Sequence, residues 1–355
     1  MGEILTKVVP VDSVHPELAI VRGAAELIRE GQLVVFPTET VYGLGADALQ
    51  PQAVERIFAA KGRPFSDPLI VHIADRSILP TLVADVPPIA HKLMEAFWPG
   101  PLTLVLPAGP RIPRLITAGL PTVAIRMPRN PIALALIHVA GSPVAAPSAN
   151  RFMHVSPTTA QHVLTDLNGR VPLILDGGPC EVGMESTVLD LGSNRATILR
   201  PGGVSLEELR MVLPDVQLSK SHPTADHQQA MLQVSPGQML THYSPTAPTF
   251  LFEGNTEKMR QAILAEVGHR QAKGEHVGIL ITEEDLPVFQ DSGAEIYVLG
   301  NSLEQAAMHL FTGLRKLEET GVHVILCRNF EAQGLGLAIR DRLRKAAGGK
   351  VIRVE

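Results

Sequence analysis

Apolar and polar positions follow a repeating order along this chain. A short β-branched run breaks at Pro or Gly, a few small polar or charged residues follow, and then apolar residues recur three and four apart. Leu18, Val21, Ala24, Ala25, Leu27 and Ile28 predict a helix over about 16–30 that ends at Gly31. Leu33 to Phe36 reads as a buried strand stopped by Pro37, which has no N–H for a sheet ladder. Thr38, Glu39, Thr40 and Tyr42 come next, then Gly43-Leu44-Gly45, read here as a turn whose bare backbone lets a ligand approach. Val54, Ile57 and Phe58 predict a helix over about 52–60, with Pro51 in its first turn and Gly62 at its C-cap. A second strand, 69–73, carries His72 among aliphatics.

The same alternation predicts helices over 87–97 and 131–139 and strands over 102–106, 122–127, 143–147, 173–175, 188–191 and 197–199. Ser156-Pro157 reads as the start of a helix with Ser156 as its N-cap, and Ser205 with Glu208 has capping-box spacing for a helix to about 212. Residues 214–248, rich in Pro, Ser, Thr, His and Gln, read as a linker that the pairs Met231-Leu232 and Met239-Leu240 hold against protein. Beyond it, strands over 249–252, 277–281, 296–299 and 322–327 alternate with helices over 257–267, 303–320 and 337–346, the order of a small α/β domain with a parallel sheet. The expectation is therefore a domain over 1–213, a linker over 214–248 and a second domain over 249–355.

Composition narrows the class. The 355 residues are 45% hydrophobic but only 4% aromatic, an aliphatic balance suited to α/β cores. No apolar run approaches the ~20 residues of a membrane span, and the first ten residues lack the basic start and apolar centre of a signal peptide, so a cytoplasmic location is expected. Cys180 and Cys327 lie far apart outside any CxxC pair, which points to buried small residues rather than a disulfide or metal site. A formal net charge of −5 disfavours a broad electrostatic grip on nucleic acid. The local concentration Arg340, Arg342, Arg344, Lys345, Lys350 and Arg353 reads first as a solvated face, with a weak tRNA contact as the minority reading.

Hydroxyls, Asn and Arg recur where apolar runs stop, and open α/β sheets gather ligands at strand ends. Lys61 and Arg63 flank a helix end, where they either complement the macrodipole or clamp a phosphate. Arg126 stands alone in an apolar run and needs a carboxylate partner, structural or from a substrate. There is no P-loop GxxxxGK[ST], no HExxH and no GxSxG, and the two GxGxxA-like stretches at Gly43 and Gly334 lack the strand context of a dinucleotide site.

The motifs PTETVYGLG (37–45), KGRP with PLIVH (61–72), WPGPLT (98–103), TVAIRMP (122–128), APSAN (146–150), ESTV (185–188) and RPG (200–202) together resemble the threonylcarbamoyl-AMP synthase family. SPGQMLTHYSP (235–245) and GLGLAIRDRLRKAA (334–347) resemble the linker and the tail of its two-domain form, with Gln238-Met239-Leu240 departing from the usual basic linker. The resemblance implies a YrdC-like twisted open sheet with helices, followed by a smaller Rossmann-like α/β domain. It implies a nucleotidyltransferase that condenses L-threonine, bicarbonate and ATP, with Mg2+ on the triphosphate and no dedicated metal cage. The product would pass to the machinery that transfers threonylcarbamoyl groups to tRNA. By motif match Lys61 and Arg63 are the catalytic cations. Phe65, Ser66, Thr122, Ser148, Asn150, Ser156 and Arg200 join them at ATP, and Tyr243 joins from a linker that crosses the site, unless it is a plain anchor. Thr38, His72, Arg126, the backbone at Ala146, and Ser186 are implied for L-threonine, with Arg126 on its carboxylate. Two other classes compete: a non-catalytic RNA-binding protein, which the slight acidic excess over residues 1–210 disfavours, and a carbamoyl-handling domain of the hydrogenase-maturation type, whose accessory parts have no counterpart here.

Overall fold

The computed structural model describes residues 4–192, 195–219 and 243–355. They divide into two compact units, one from the described residues of 1–152 and 156–238, the other from 153–155 and 239–355.

In the first unit the chain runs β1 (Lys7–Pro10), α1 (Leu18–Arg29), β2 (Val34–Phe36), β3 (Gly43–Asp47), α2 (Pro51–Lys61), β4 (Ile70–His72), α3 (Leu79–Leu82), α4 (Pro88–Phe97), β5 (Leu102–Pro107), β6 (Thr122–Arg126), α5 (Pro131–Ala140), β7 (Val144–Ala145), α6 (Ala160–Leu167), β8 (Leu173–Asp176), β9 (Thr187–Asp190), β10 (Thr197–Arg200), α7 (Leu206–Val212) and β11 (Gln217–Leu218). Among the described residues these strands join one mixed sheet in the order β1-β8-β2-β3-β7-β4-β6-β5-β9-β10-β11. Val71, Ile125, Leu104 and Leu189 turn one face of its centre into the main core with Ile57, Leu93 and Trp98. Helix boundaries follow their chemical signals. Pro51 opens α2, Gly62 closes it in the left-handed region at φ 66°, and Ser205 with Glu208 forms the capping box of α7.

Four local expectations are corrected. Gly43-Leu44-Gly45 is no ligand turn but the start of β3, paired antiparallel with β2. A Cβ at Gly45 would sit 2.6 Å from the Phe36 ring and 2.9 Å from Val144, so this glycine answers a packing demand. Gly45→Ala is accordingly expected to destabilise the first unit by roughly 1–3 kcal/mol through overpacking, readable as a lowered denaturation midpoint; an unchanged midpoint would refute the packing account. Ser156 is not a cap, because α6 begins later and Thr159 accepts from His162 N. Residues 214–219, expected in the linker, partly belong to the sheet: Val216 is 1% exposed and β11 lies parallel to β10. The edge strand β1, too exposed to show an apolar pattern, pairs in parallel with β8.

The second unit runs β12 (Thr249–Gly254), α8 (Thr256–Gln271), β13 (Val277–Ile281), α9 (Leu286–Phe289), β14 (Glu295–Val298), α10 (Leu303–Glu319), β15 (Val324–Arg328), α11 (Gly336–Ala347) and β16 (Val351–Val354). Its strands are all parallel in the order β14-β13-β15-β12-β16. The predicted alternation is present, with β16 the strand the pattern missed. Connections leave β13 and β15 toward opposite edges, which makes their carboxyl ends the switch point where doubly wound sheets take ligands. Here the chain's own groups fill that place: Asp285 accepts from Arg260 Nε and Arg328 Nε, both at 2.8 Å, and from Thr282. The basic cluster is a solvated face only in part, at the exposed Lys350 and Arg353. Arg342 is fully buried against Asp341, Lys345 pairs with Asp341 and Arg344 with Glu253, so these cations are spent inside the unit.

Candidate active site

Strand register lines up a polar row on the sheet face opposite the main core. His72 is the register partner of Arg126, Arg126 of Thr103, Thr103 of Val188, and Val188 of Arg200, so five adjacent strands point these side chains to one side. Two residues further along the same strands lie Ile70, Ala124 and Val105, a small apolar patch with Val188. Alternation along β6 thus sets Thr122, Ala124 and Arg126 on one face, roughly 13 Å from end to end at ~3.3 Å per residue. The polar row therefore runs beside a small apolar patch on one sheet face.

Arg126 is 4% exposed and held on three sides. Nη2 donates to Glu39 Oε1 at 2.7 Å, Nη1 to Thr40 Oγ1 at 2.9 Å and Nε to Gly100 O at 3.2 Å. The structural carboxylate is therefore present, from the turn after β2. The Thr38 hydroxyl donates to Val41 O at 2.6 Å, so across the 2.8 Å contact it is Thr40 that donates to Thr38. Thr38 uses its hydroxyl within its own turn.

A second group of cations surrounds Asp67. Lys61 Nζ donates to the carbonyls of Ser148 and Asn150, two of its three donors, which ties the end of α2 to the APSAN segment. Arg63 forms an ion pair with Asp67 at 2.9 Å and donates to Pro68 O at 2.8 Å. Burial lowers the Lys61 pKa well below the usual lysine range, with Arg63 adding to it and Asp166 and Asp67 opposing it. Burial raises that of Asp67 against the pull of Arg63, Lys61 and Arg200. Of these three cations, expected at the nucleotide, Arg63 is ion-paired with Asp67, and Lys61 and Arg200 act on it through their charge. Arg200 also donates to Ser186 O at 2.9 Å and Ser186 Oγ at 3.2 Å, and Ser186 Oγ lies 2.7 Å from Thr103 Oγ1.

Comparison with known proteins decides the family. The chain is 45% identical over 338 residues, 94% of its length and 96% of the relative's, to a Pyrococcus abyssi protein named threonylcarbamoyl-AMP synthase. The chain belongs to the threonylcarbamoyl-AMP synthase family. A Bacillus subtilis synthase is 47% identical over 93% of each chain. A family model described as "Telomere recombination", covering Sua5, YciO and YrdC proteins, matches residues 26–202, and one described as "Threonylcarbamoyl-AMP synthase, C-terminal domain" matches 204–348. The crystal structure of Pyrococcus abyssi Sua5 complexed with L-threonine matches with a TM-score of 0.92 at 44% identity, over 98% of this chain and all of that one.

The remaining residues implied by the synthase resemblance fall unevenly. Ser148 bridges to Gly43, and the Ala146 N–H is already given to Ile70 O, which leaves its carbonyl. Ser156 is fully buried and donates to Glu185 Oε1 at 2.6 Å. Asn150 Nδ2 donates to Arg151 O. Ser66 is exposed, and Phe65, 57% exposed, tilts against Phe58. Tyr243 belongs to the second unit, where it is 1% exposed, stacks on Phe311 and lies under the Arg342 guanidinium; these contacts fit the anchoring alternative. Residues 220–242, with His242 and both linker Met-Leu pairs, lie outside the described residues, and so does the expected crossing of the site.

Residue type alone missed Thr40, Asp67, Thr103 and Glu185. Each is a partner of an implied ligand-binding side chain, and only the folded register brings the pairs together. The sequence signal, a polar residue inside a motif otherwise explained, was present for Thr40 and Glu185 but pointed nowhere.

His72 is 3% exposed and its Nδ1 has no hydrogen-bond partner among the described residues. Burial, with Arg126 adding to it, lowers its pKa to about 3, so the imidazole stays neutral at physiological pH. An unfolded histidine takes a proton near pH 6.5. Stability from a neutral His72 is therefore full above about pH 6.5 and is lost as pH falls toward 3, by up to ~1.4 kcal/mol per pH unit. His72→Gln should flatten that acid limb relative to wild type in chemical denaturation; superimposable limbs would show that the histidine titrates normally.

Proposed function

We propose that this chain condenses L-threonine, bicarbonate and ATP into threonylcarbamoyl-AMP and pyrophosphate, with threonine held at Arg126 and the phosphates at Lys61, Arg63 and Arg200. The observation that carries the residue assignment is the different partnering of the cations. Arg126 stands in the register row beside neutral His72 and pairs with Glu39, whereas Arg63 pairs with Asp67, Lys61 reaches the carbonyls of Ser148 and Asn150, and Arg200 holds Ser186 at the far end of the row.

The chemistry asks for this division. The threonine amine takes up bicarbonate as a carbamate with loss of water, and a carbamate oxygen then attacks the α-phosphorus as the bond to the pyrophosphate oxygen breaks. Bicarbonate, the carbamate and ATP are anions and threonine brings a carboxylate, so positioning and charge stabilisation do the catalysis, and no side-chain nucleophile is required. Among the described residues three of the five Arg126 N–H donors are taken, which leaves one on each terminal nitrogen for a carboxylate. Neutral His72 beside it can accept from the threonine amine without adding positive charge. Lys61 keeps its third donor for a phosphate oxygen, and the half-exposed Phe65-Ser66 backbone, Thr122, Ser148, Asn150 and Ser156 line the nucleotide. Ser186 contacts both Thr103 and Arg200.

Mg2+ is expected to arrive on the triphosphate. The described residues hold no cluster of three His, Cys, Asp or Glu, and Glu39 and Glu185 are committed to Arg126 and Ser156, so phosphate and water oxygens would supply its shell, as is usual for this ion. Delivery of the adenylate to tRNA-modifying partners follows from the same reading. It is tested by pyrophosphate release from ATP, which should require threonine and bicarbonate together. Release indifferent to either one would overturn it.

A further inference from the structure

Arg126 stands in the register row at the end of β6, yet what aims it comes from the turn after β2, 87 positions earlier in the chain. We infer that Glu39 is a positioning residue for the substrate carboxylate, acting through Arg126; this rests on the reading of Arg126 given above. Glu39 is 2% exposed and cannot turn away freely. Its Oε1 accepts from Arg126 Nη2 at 2.7 Å, its Oε2 from Arg129 N at 3.1 Å, and its backbone carbonyl from Val182 N at 2.7 Å. One residue thereby joins the turn after β2, the exit of β6 and the loop leading to Glu185 and Ser186.

Two consequences separate this role from plain packing. The first is direction. With Oε1 on Nη2, Thr40 on Nη1 and Gly100 O on Nε, the guanidinium plane is fixed at three corners, and only its remaining donor pair is offered to a ligand. Thr40 is itself held in the accepting orientation toward Arg126, because its proton goes to Thr38. The second is charge. A buried guanidinium without a counter-ion attracts any anion, including a triphosphate, whereas the Arg126–Glu39 pair carries no net charge and binds by bond geometry. Glu39 thus favours a small carboxylate that accepts two parallel bonds, while phosphates are left to Lys61, Arg63 and Arg200. The structure has the geometry of a selectivity device built from one carboxylate.

Glu39→Gln discriminates well, since an amide has one accepting atom and cannot satisfy both Arg126 and Arg129 N. In the full-length protein the variant should raise the KM for threonine about tenfold or more, with the KM for ATP within about twofold of wild type. Its preference for threonine over threoninol, which lacks the carboxylate, should fall by a similar factor. A merely structural Glu39 would lower thermal stability while leaving that preference intact, and this result would overturn the inference. Thr40→Val, which removes the Nη1 acceptor and keeps the ion pair, should shift the same preference in the same direction; no shift in either variant refutes the positioning role. Arg126→Lys run in parallel distinguishes the two levels. If it leaves threonine KM unchanged, the assignment of Arg126 fails; if it raises KM while Glu39→Gln does not, only the role of Glu39 fails.

Discussion

Arg126→Ala is expected to abolish measurable threonine binding and to destabilise the first unit at once. Removing the guanidinium strands the Glu39 carboxylate, 1% exposed in its side chain, without its cation, and breaking one side of a buried pair costs about 3–5 kcal/mol. The same loss removes the donor pair for the substrate carboxylate, so threonine KM should rise by roughly two orders of magnitude or more. Because the two effects have different origins, a second substitution separates them. Glu39→Gln/Arg126→Met replaces the pair by groups without charge and should recover most of the lost stability while recovering none of the threonine binding. Urea denaturation with calorimetric titration reads both. If the double variant regains threonine affinity, Arg126 is a structural cation and the carboxylate binds elsewhere.

The structural carboxylate that Arg126 finds in Glu39 shows where sequence reasoning stopped. A lone arginine in TVAIRM announces a partner, but Glu39 lies four strands away in sheet order, across β3, β7 and β4. No spacing rule connects them. Local signals were far more legible. Pro51, Gly62, Ser205 and Glu208 marked helix ends because capping is settled within one turn, and the apolar runs marked the central strands because both their faces are covered. Ser156 misled because a serine before a proline has the type of a cap, while its hydroxyl was claimed by Glu185 from a distant segment. Gly45 misled in the opposite way: the demand on it comes from the Phe36 ring and Val144 across the sheet, not from its own turn. The basic tail of the second unit looked solvated because its acids, Glu253 and Asp341, reach it by packing or from the buried side of its own helix. Family likeness supplied the candidate ligands, and the fold added the groups that hold them.

Lys61 is the residue for which the proposed phosphate role can be tested most severely. The bland alternative, a cation complementing the C-terminus of α2, predicts that its ammonium faces the last carbonyls of that helix. The ammonium instead leaves the helix for the carbonyls of Ser148 and Asn150. It is 3% exposed and sits beside Arg63, and burial with that neighbouring charge disfavours its protonated form against the pull of Asp166 and Asp67. A triphosphate would add the anionic charge that favours the ammonium. Lys61→Met keeps the aliphatic stem and removes the charge, so pyrophosphate release should fall by about two to three orders of magnitude, as when a donor to developing charge is lost. Stability should change little, because the relief of crowding between Lys61 and Arg63 offsets the ~1–3 kcal/mol of two carbonyls losing their donor. Threonine affinity in the absence of ATP should be unaltered, since Arg126 keeps all three of its partners. Were Lys61→Met to release pyrophosphate at the wild-type rate, the lysine would be a strut for the APSAN segment and the phosphate cations would reduce to Arg63 and Arg200. A fall in threonine affinity instead would mean that Lys61 and Arg126 serve one site, and the division between them would have to be abandoned.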